Sequence, residues 1–102
     1  MTYRVRFTEE AEADLFRLYE FILARDAGDW LIAERALQAI KDGIRILELT
    51  PFTCRKAGCT SSFLRELVIP FGAAGYVALF EIDNAERVTV LAVRHQRESD
   101  YH

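Results

Sequence analysis

A chain of 102 residues, 51% hydrophobic and 28% charged, is sized for a single domain over residues 1–102 and is too apolar to stay disordered. It has no run able to cross a bilayer, and the stretch before Glu12 has no apolar core of the secretory kind, so the expectation is a cytoplasmic protein with no membrane role. The net charge of −3 leaves no segment strongly basic: residues 1–8 carry Arg4 and Arg6, residues 9–48 carry ten acids against five bases, and residues 49–102 carry six of each, which excludes a broad phosphate-binding face.

Tyr3, Val5 and Phe7 alternate with Arg4 and Arg6, the period of a short strand with one apolar and one basic face. Thr8 reads as a helix N-cap, with Glu9, Glu10 and Glu12 in the first turn, where the helix dipole favours acids. Ala11, Leu15, Leu18 and Ile22 follow at helical spacing, flanked by Phe16, Tyr19 and Phe21, and predict a helix over Glu9–Arg25. Asp26–Asp29 is a tight connection whose last residue is the second N-cap. Ala33, Leu37, Ile40, Ile44 and Leu47 then form one stripe, widened by Trp30, Ala36 and Ile46, until Thr50-Pro51 stops the helix. So short a link between two helices predicts an antiparallel hairpin.

Pro51–Ser62 reads as an exposed loop holding Arg55, Lys56 and the two cysteines, Cys54 and Cys59. Three apolar runs follow, Phe63–Ile69, Tyr76–Ile82 and Val88–His95, separated by Gly72 and Gly75 and then by Asp83, Asn84 and Glu86. Short links between strands predict an antiparallel meander. The expected class is therefore α+β, β-α-α-β-β-β, a helical hairpin packed on an antiparallel sheet.

An antiparallel sheet with one wet face alternates apolar and polar residues. In Tyr76–Ile82 one parity gives Tyr76, Ala78, Phe80 and Ile82, and the other gives Val77, Leu79 and Glu81. In Val88–His95 one gives Val88, Val90, Ala92 and Arg94, and the other gives Thr89, Leu91, Val93 and His95. Both faces come out largely apolar, and the hairpin covers one. The other is covered either by a partner segment, with Tyr76, Ala78, Phe80, Val90 and Ala92 as the partner-facing candidates, or by loop 51–62 and the C-terminal tail folding over it.

There is no nucleophile elbow, no P-loop, no dinucleotide-binding glycine pattern and no zinc-protease motif. Cys54, Cys59, His95 and His102 would fill four zinc positions, but their spacing fits no common zinc signature, so neither metal nor cofactor is expected. The chemistry-bearing set is basic and aromatic: Arg55, Lys56, Arg65, Arg94, His95, Arg97 and Tyr101. Arg65 shares parity with Phe63, Leu67 and Ile69, and Arg94 with Val88, Val90 and Ala92; a charge in an apolar strand face is costly unless it is paired or at a rim. One reading is salt bridges to Glu66, Glu81 or Glu98, with long side chains reaching for solvent. The other is a cluster at one end of the sheet that binds an anionic partner, or that cleaves RNA with His95 or Tyr101 moving protons and Arg65 or Arg94 holding the phosphate.

The stretches Tyr3–Leu15 (YRVRFTEEAEADL), Leu49–Pro51 (LTP), Phe63–Leu67 (FLREL), Pro70–Phe80 (PFGAAGYVALF) and Val93–Tyr101 (VRHQRESDY) together resemble the RelE/ParE superfamily of bacterial toxins over almost the whole chain. The resemblance implies a toxin neutralised by a cognate, ParD-like antitoxin encoded beside it, the two forming a hetero-oligomer. RelE-like members cut messenger RNA on the ribosome; ParE-like members poison DNA gyrase and are not nucleases. The acidic balance, with only Lys41 and Lys56 as lysines, and the ending Arg94-His95-Gln96-Arg97-Glu98 through Tyr101 look more like the ParE branch. The ParE-like expectation makes the basic set a target- or partner-binding surface. Under the RelE-like alternative Arg65, Arg94, His95 and Tyr101 would be catalytic, and a further alternative is a non-toxic family member that only binds its partner.

Overall fold

A computed structural model describes residues 2–25, 30–56, 64–72 and 74–96 of the chain. In chain order these form β1 (Arg4–Phe7), α1 (Glu9–Arg25), α2 (Trp30–Leu49), a 3-10 turn (Pro51–Thr53), β2 (Arg55–Lys56), β3 (Leu64–Phe71), β4 (Ala74–Ile82) and β5 (Arg87–His95). The α+β class and the two helices on a sheet are as expected. The predicted N-cap Asp29 and its connection lie outside the described residues.

The sheet has five strands in the order β1-β5-β4-β3-β2 and is mixed, not purely antiparallel. β1 runs parallel to β5, with Val5 opposite Val88 and Phe7 opposite Val90, because the long helical excursion brings the chain back beside its own start. Part of the expected loop pairs as well: Arg55 lies opposite Glu66 and Lys56 opposite Arg65. β3 runs past Pro70 to Phe71. Gly75, opposite Pro70, turns its carbonyl to the Gln96 N–H on the β5 side, so Pro70 presents its missing N–H to the outer edge, where a strand tolerates proline.

Both helices pack on one face. Ala11 and Leu18 of α1 and Ala36, Ile40, Ile44 and Leu47 of α2 share a core with Leu67, Ile69, Tyr76, Ala78, Phe80, Val88, Val90 and Val93. Burying each large side chain there contributes about 1.5–3 kcal/mol. Gly43 lets α2 lie close on β3, since a Cβ at that position would stand 2.8 Å from Ile69 Cγ1. Gly72 makes the β3–β4 turn at φ 61°, a left-handed conformation that disfavours a side chain.

β5 contains a bulge. Leu79 pairs with Ala92 but the next residue, Phe80, pairs with Val90, which leaves Leu91 as an extra residue. Strict alternation had put Ala92 with Val88 and Val90; the extra residue moves Val93 to the helix face and Ala92 to the other. Much of the doubly apolar appearance of β5 is this change of phase.

The start of α1 is fastened to the bulge. Thr8 accepts the Ala11 N–H on its hydroxyl at 3.1 Å, the expected cap, and donates that hydroxyl to the Leu91 carbonyl at 3.2 Å. Two turns into the helix, Asp14 Oδ2 accepts the buried Val93 N–H at 3.0 Å. β1 ends level with Val90, so beyond that point α1 takes the place of a strand along the β5 edge.

Candidate functional site

Among the described members of the basic set, the structure separates the two strand arginines, Arg65 and Arg94. Arg65 lies opposite Phe80 and belongs to the helix face, while Arg94 lies opposite Val77 on the other. Arg65 donates from Nη1 to the Cys54 carbonyl at 2.8 Å and to the Phe52 carbonyl at 3.3 Å, and so pins the 3-10 turn and β2 to β3. Beside it the half-buried Cys54 thiol is pushed up by burial, with the Arg65 charge pulling it down.

Arg94 belongs to a charged row across the other face. Glu66 takes Arg55 Nε on Oε1 at 3.1 Å and Arg94 Nη2 on Oε2 at 3.8 Å. Arg94 Nη1 also donates to the carbonyls of His95 and Gln96 at 3.2 and 3.3 Å, which holds the end of β5. The ion pair with Glu66 is one of those the sequence offered for Arg94. His95 faces the helix side, edge-on to the Tyr76 ring with centroids 5.6 Å apart, and burial pushes the Tyr76 phenol up. Arg55 and Lys56 are exposed on the edge strand β2. Arg97, Tyr101, Cys59 and His102 lie outside the described residues.

Of the partner-facing candidates, Tyr76, Ala78, Phe80 and Val90 are buried under the helices. That expectation is corrected: a partner reaches none of these four without displacing the hairpin. Ala92 is on the opposite face, which carries Val68, Val77 and Leu79 among Glu66, Glu81, Thr89 and Arg94. It is apolar at its centre and charged at its margins.

A second polar group, not singled out from the sequence, closes the other end of this face. Arg6 Nε donates to Thr89 Oγ1 at 2.8 Å; the Thr89 hydroxyl makes a short hydrogen bond to Asp83 Oδ2, which Arg87 Nε also approaches at 3.2 Å. The Thr89 hydroxyl first, then Glu81, Arg87 and Arg6, hold the Asp83 carboxyl below its usual range against the opposing effect of burial. Glu81 is pushed up, by burial first and then by its hydrogen bond to and repulsion from Asp83, with Arg6 opposing. The signal was available: Arg6, Glu81, Asp83 and Arg87 cluster at one end of their strands, but only the parallel β1–β5 pairing puts Arg6 beside Thr89.

The two shifts act oppositely on stability. Asp83, lowered in the fold, contributes stability that is complete above its unfolded pKa and is lost as pH falls through the folded value. Glu81, raised in the fold, weakens the fold as pH rises from its unfolded to its folded value. Glu81→Gln is therefore expected to be more stable than the parent at pH 7, with the difference vanishing once pH falls below the ordinary glutamate range. Urea denaturation at the two pH values checks this, and a difference that grew in acid would refute the assignment.

Comparison with known proteins adds a family. The sequence matches the family model for the ParE toxin of the type II toxin–antitoxin system parDE over residues 5–100. No curated protein matches it. Among solved structures it is similar to a chain of the chromosomal ParDE toxin–antitoxin system from P. aeruginosa, with a TM-score of 0.72 and 17% identity over 91% of this chain and 95% of that one. At that identity the likeness is one of fold.

Proposed function

The chain belongs to the ParE toxin family of type II toxin–antitoxin systems, and we propose on that footing that it arrests growth by inhibiting DNA gyrase and is neutralised by a cognate antitoxin encoded beside it. The observation that carries this reading is the family match over residues 5–100. The arginines support a binding role over nuclease chemistry. Cleavage of RNA by its own 2′-hydroxyl needs a base, a cation on the phosphate and an acid around one bond. Here Arg65 and Arg94 sit on opposite sheet faces, Arg65 on backbone carbonyls and Arg94 on Glu66. Among the described members of the basic set, Arg55 and Lys56, exposed on the edge strand, are best placed to meet a target.

Induced expression without the antitoxin tests the reading. Within minutes it is expected to give covalent gyrase–DNA complexes while reporter transcripts stay intact. Cut transcripts with gyrase free would overturn it in favour of an endoribonuclease. Unchanged growth would overturn both in favour of a non-toxic partner-binding protein.

A further inference from the structure

Resting on the gyrase reading, we propose that the toxin meets its target through the shoulder where α2 passes into β2, and that it takes there a protein surface apolar at its centre and acidic at its margin. Ile46 and Leu49, three residues apart on the outward side of α2, and Phe52 of the 3-10 turn are 45%, 62% and 55% exposed. Large apolar side chains left in water side by side mark an interaction surface.

The fold holds this shoulder still. Pro51 is fully buried at the start of the turn. Arg65 Nη1 donates to the Phe52 and Cys54 carbonyls at 3.3 and 2.8 Å, the Thr53 hydroxyl donates to the Thr50 carbonyl at 2.8 Å, and the Tyr3 N–H donates to the Glu48 carbonyl at 2.7 Å. The Phe52 ring meets Tyr3 edge-on, with centroids 5.7 Å apart, so one side of it is seated while the rest faces solvent. A patch fixed in this way loses little chain or side-chain entropy when it binds, and an aromatic anchor at its centre is the kind of residue that dominates an interface.

Charge selects the occupant. From Arg45 to Lys56 the chain carries three bases against one acid, on a protein of net charge −3. Arg55 and Lys56 lie exposed just beyond the turn; Arg55 shares Glu66 with Arg94, and Lys56 enters no ion pair among the described residues. A second copy seated here about a two-fold axis would set Arg55 and Lys56 against their own equivalents. A phosphate backbone would satisfy those two cations but leave Ile46, Leu49 and Phe52 wet. A protein surface with acids around an apolar centre covers the three and meets the two.

The test titrates the whole toxin into supercoiling of a plasmid by the DNA gyrase holoenzyme. Leu49→Gln with Phe52→Gln is expected to raise the half-inhibiting concentration about tenfold or more. Lys56→Glu is expected to raise it less, with the gap from the parent narrowing as salt is added. Phe16→Gln, on α1 and as exposed as Leu49, is expected to leave it unchanged. All the substituted side chains are exposed, and matching circular dichroism and Tm would show each variant folded. Unchanged inhibition by the folded double variant would overturn the shoulder and leave the gyrase reading standing, as would an equal loss in Phe16→Gln. Self-association of the parent, or its binding to vesicles of anionic lipid, that the double variant lost would overturn the proposal by giving the surface to a second copy or to a membrane. No inhibition by the parent would bring down the gyrase reading, and the shoulder with it.

Discussion

Replacing Phe80 with alanine is expected to destabilise the protein by about 3–5 kcal/mol, the largest effect of any single truncation of the core. Phe80 is fully buried and is the largest of the side chains shielded to that degree. It lies on β4 between Arg65 and Val90, in the core shared by both helices, next to the bulge that sets the phase of β5. Alanine removes the ring's transfer free energy and leaves a cavity that the hairpin above can only partly collapse. A domain of this size has about 5–15 kcal/mol in all, so the variant should populate unfolded chains. Urea titration would show the midpoint falling with the slope unchanged. A loss below about 1 kcal/mol would mean that the helices are free to settle onto the sheet, and that Phe80 does not set their height.

Asp14→Ala is expected to cost about 2–3 kcal/mol, a large value for a polar residue. Asp14 is 6% exposed, and its carboxylate accepts the N–H of Val93, itself fully buried. Alanine would strand that N–H on the stretch of the β5 edge that no strand covers. The Arg17 guanidinium, 3.8 Å away and half exposed, adds little, since exposed pairs contribute about 0–1 kcal/mol. Asp14→Asn keeps an acceptor oxygen and should lose about half as much. Hydrogen exchange separates this account from general loosening: the Val93 amide should exchange faster in Asp14→Ala under conditions where core amides of β4 do not. Equal acceleration everywhere would show that Asp14 acts on the whole fold and not on this edge.

Asp14 was not singled out from the sequence, although it lies on the same helical stripe as Ala11, Leu15 and Leu18; nothing in the spacing says what it accepts. The arginines show the same limit. Arg65 and Arg94 each stood out as charges within apolar strand faces, and each is anchored as that position requires. Their placement on opposite sides of the sheet depends on which residues they oppose in β4.

By itself the sequence determined both helices, because a helix is written in local terms. The Thr8 cap, the acidic first turn, the stripes at 3.6-residue spacing and the Pro51 stop all act within a few residues of where they are read. It also determined the three long strands and, through the ordered set of motifs, the family. Only the tertiary structure decided the parallel seating of β1 against β5, the two-residue strand inside the expected loop, and the bulge at Leu91. A strand's period is two, so one extra residue exchanges its faces, and whether that residue bulges depends on a partner strand and a helix far away in the chain. That is why the sequence could count the apolar residues of β5 correctly and still place Ala92 and Val93 on the wrong sides.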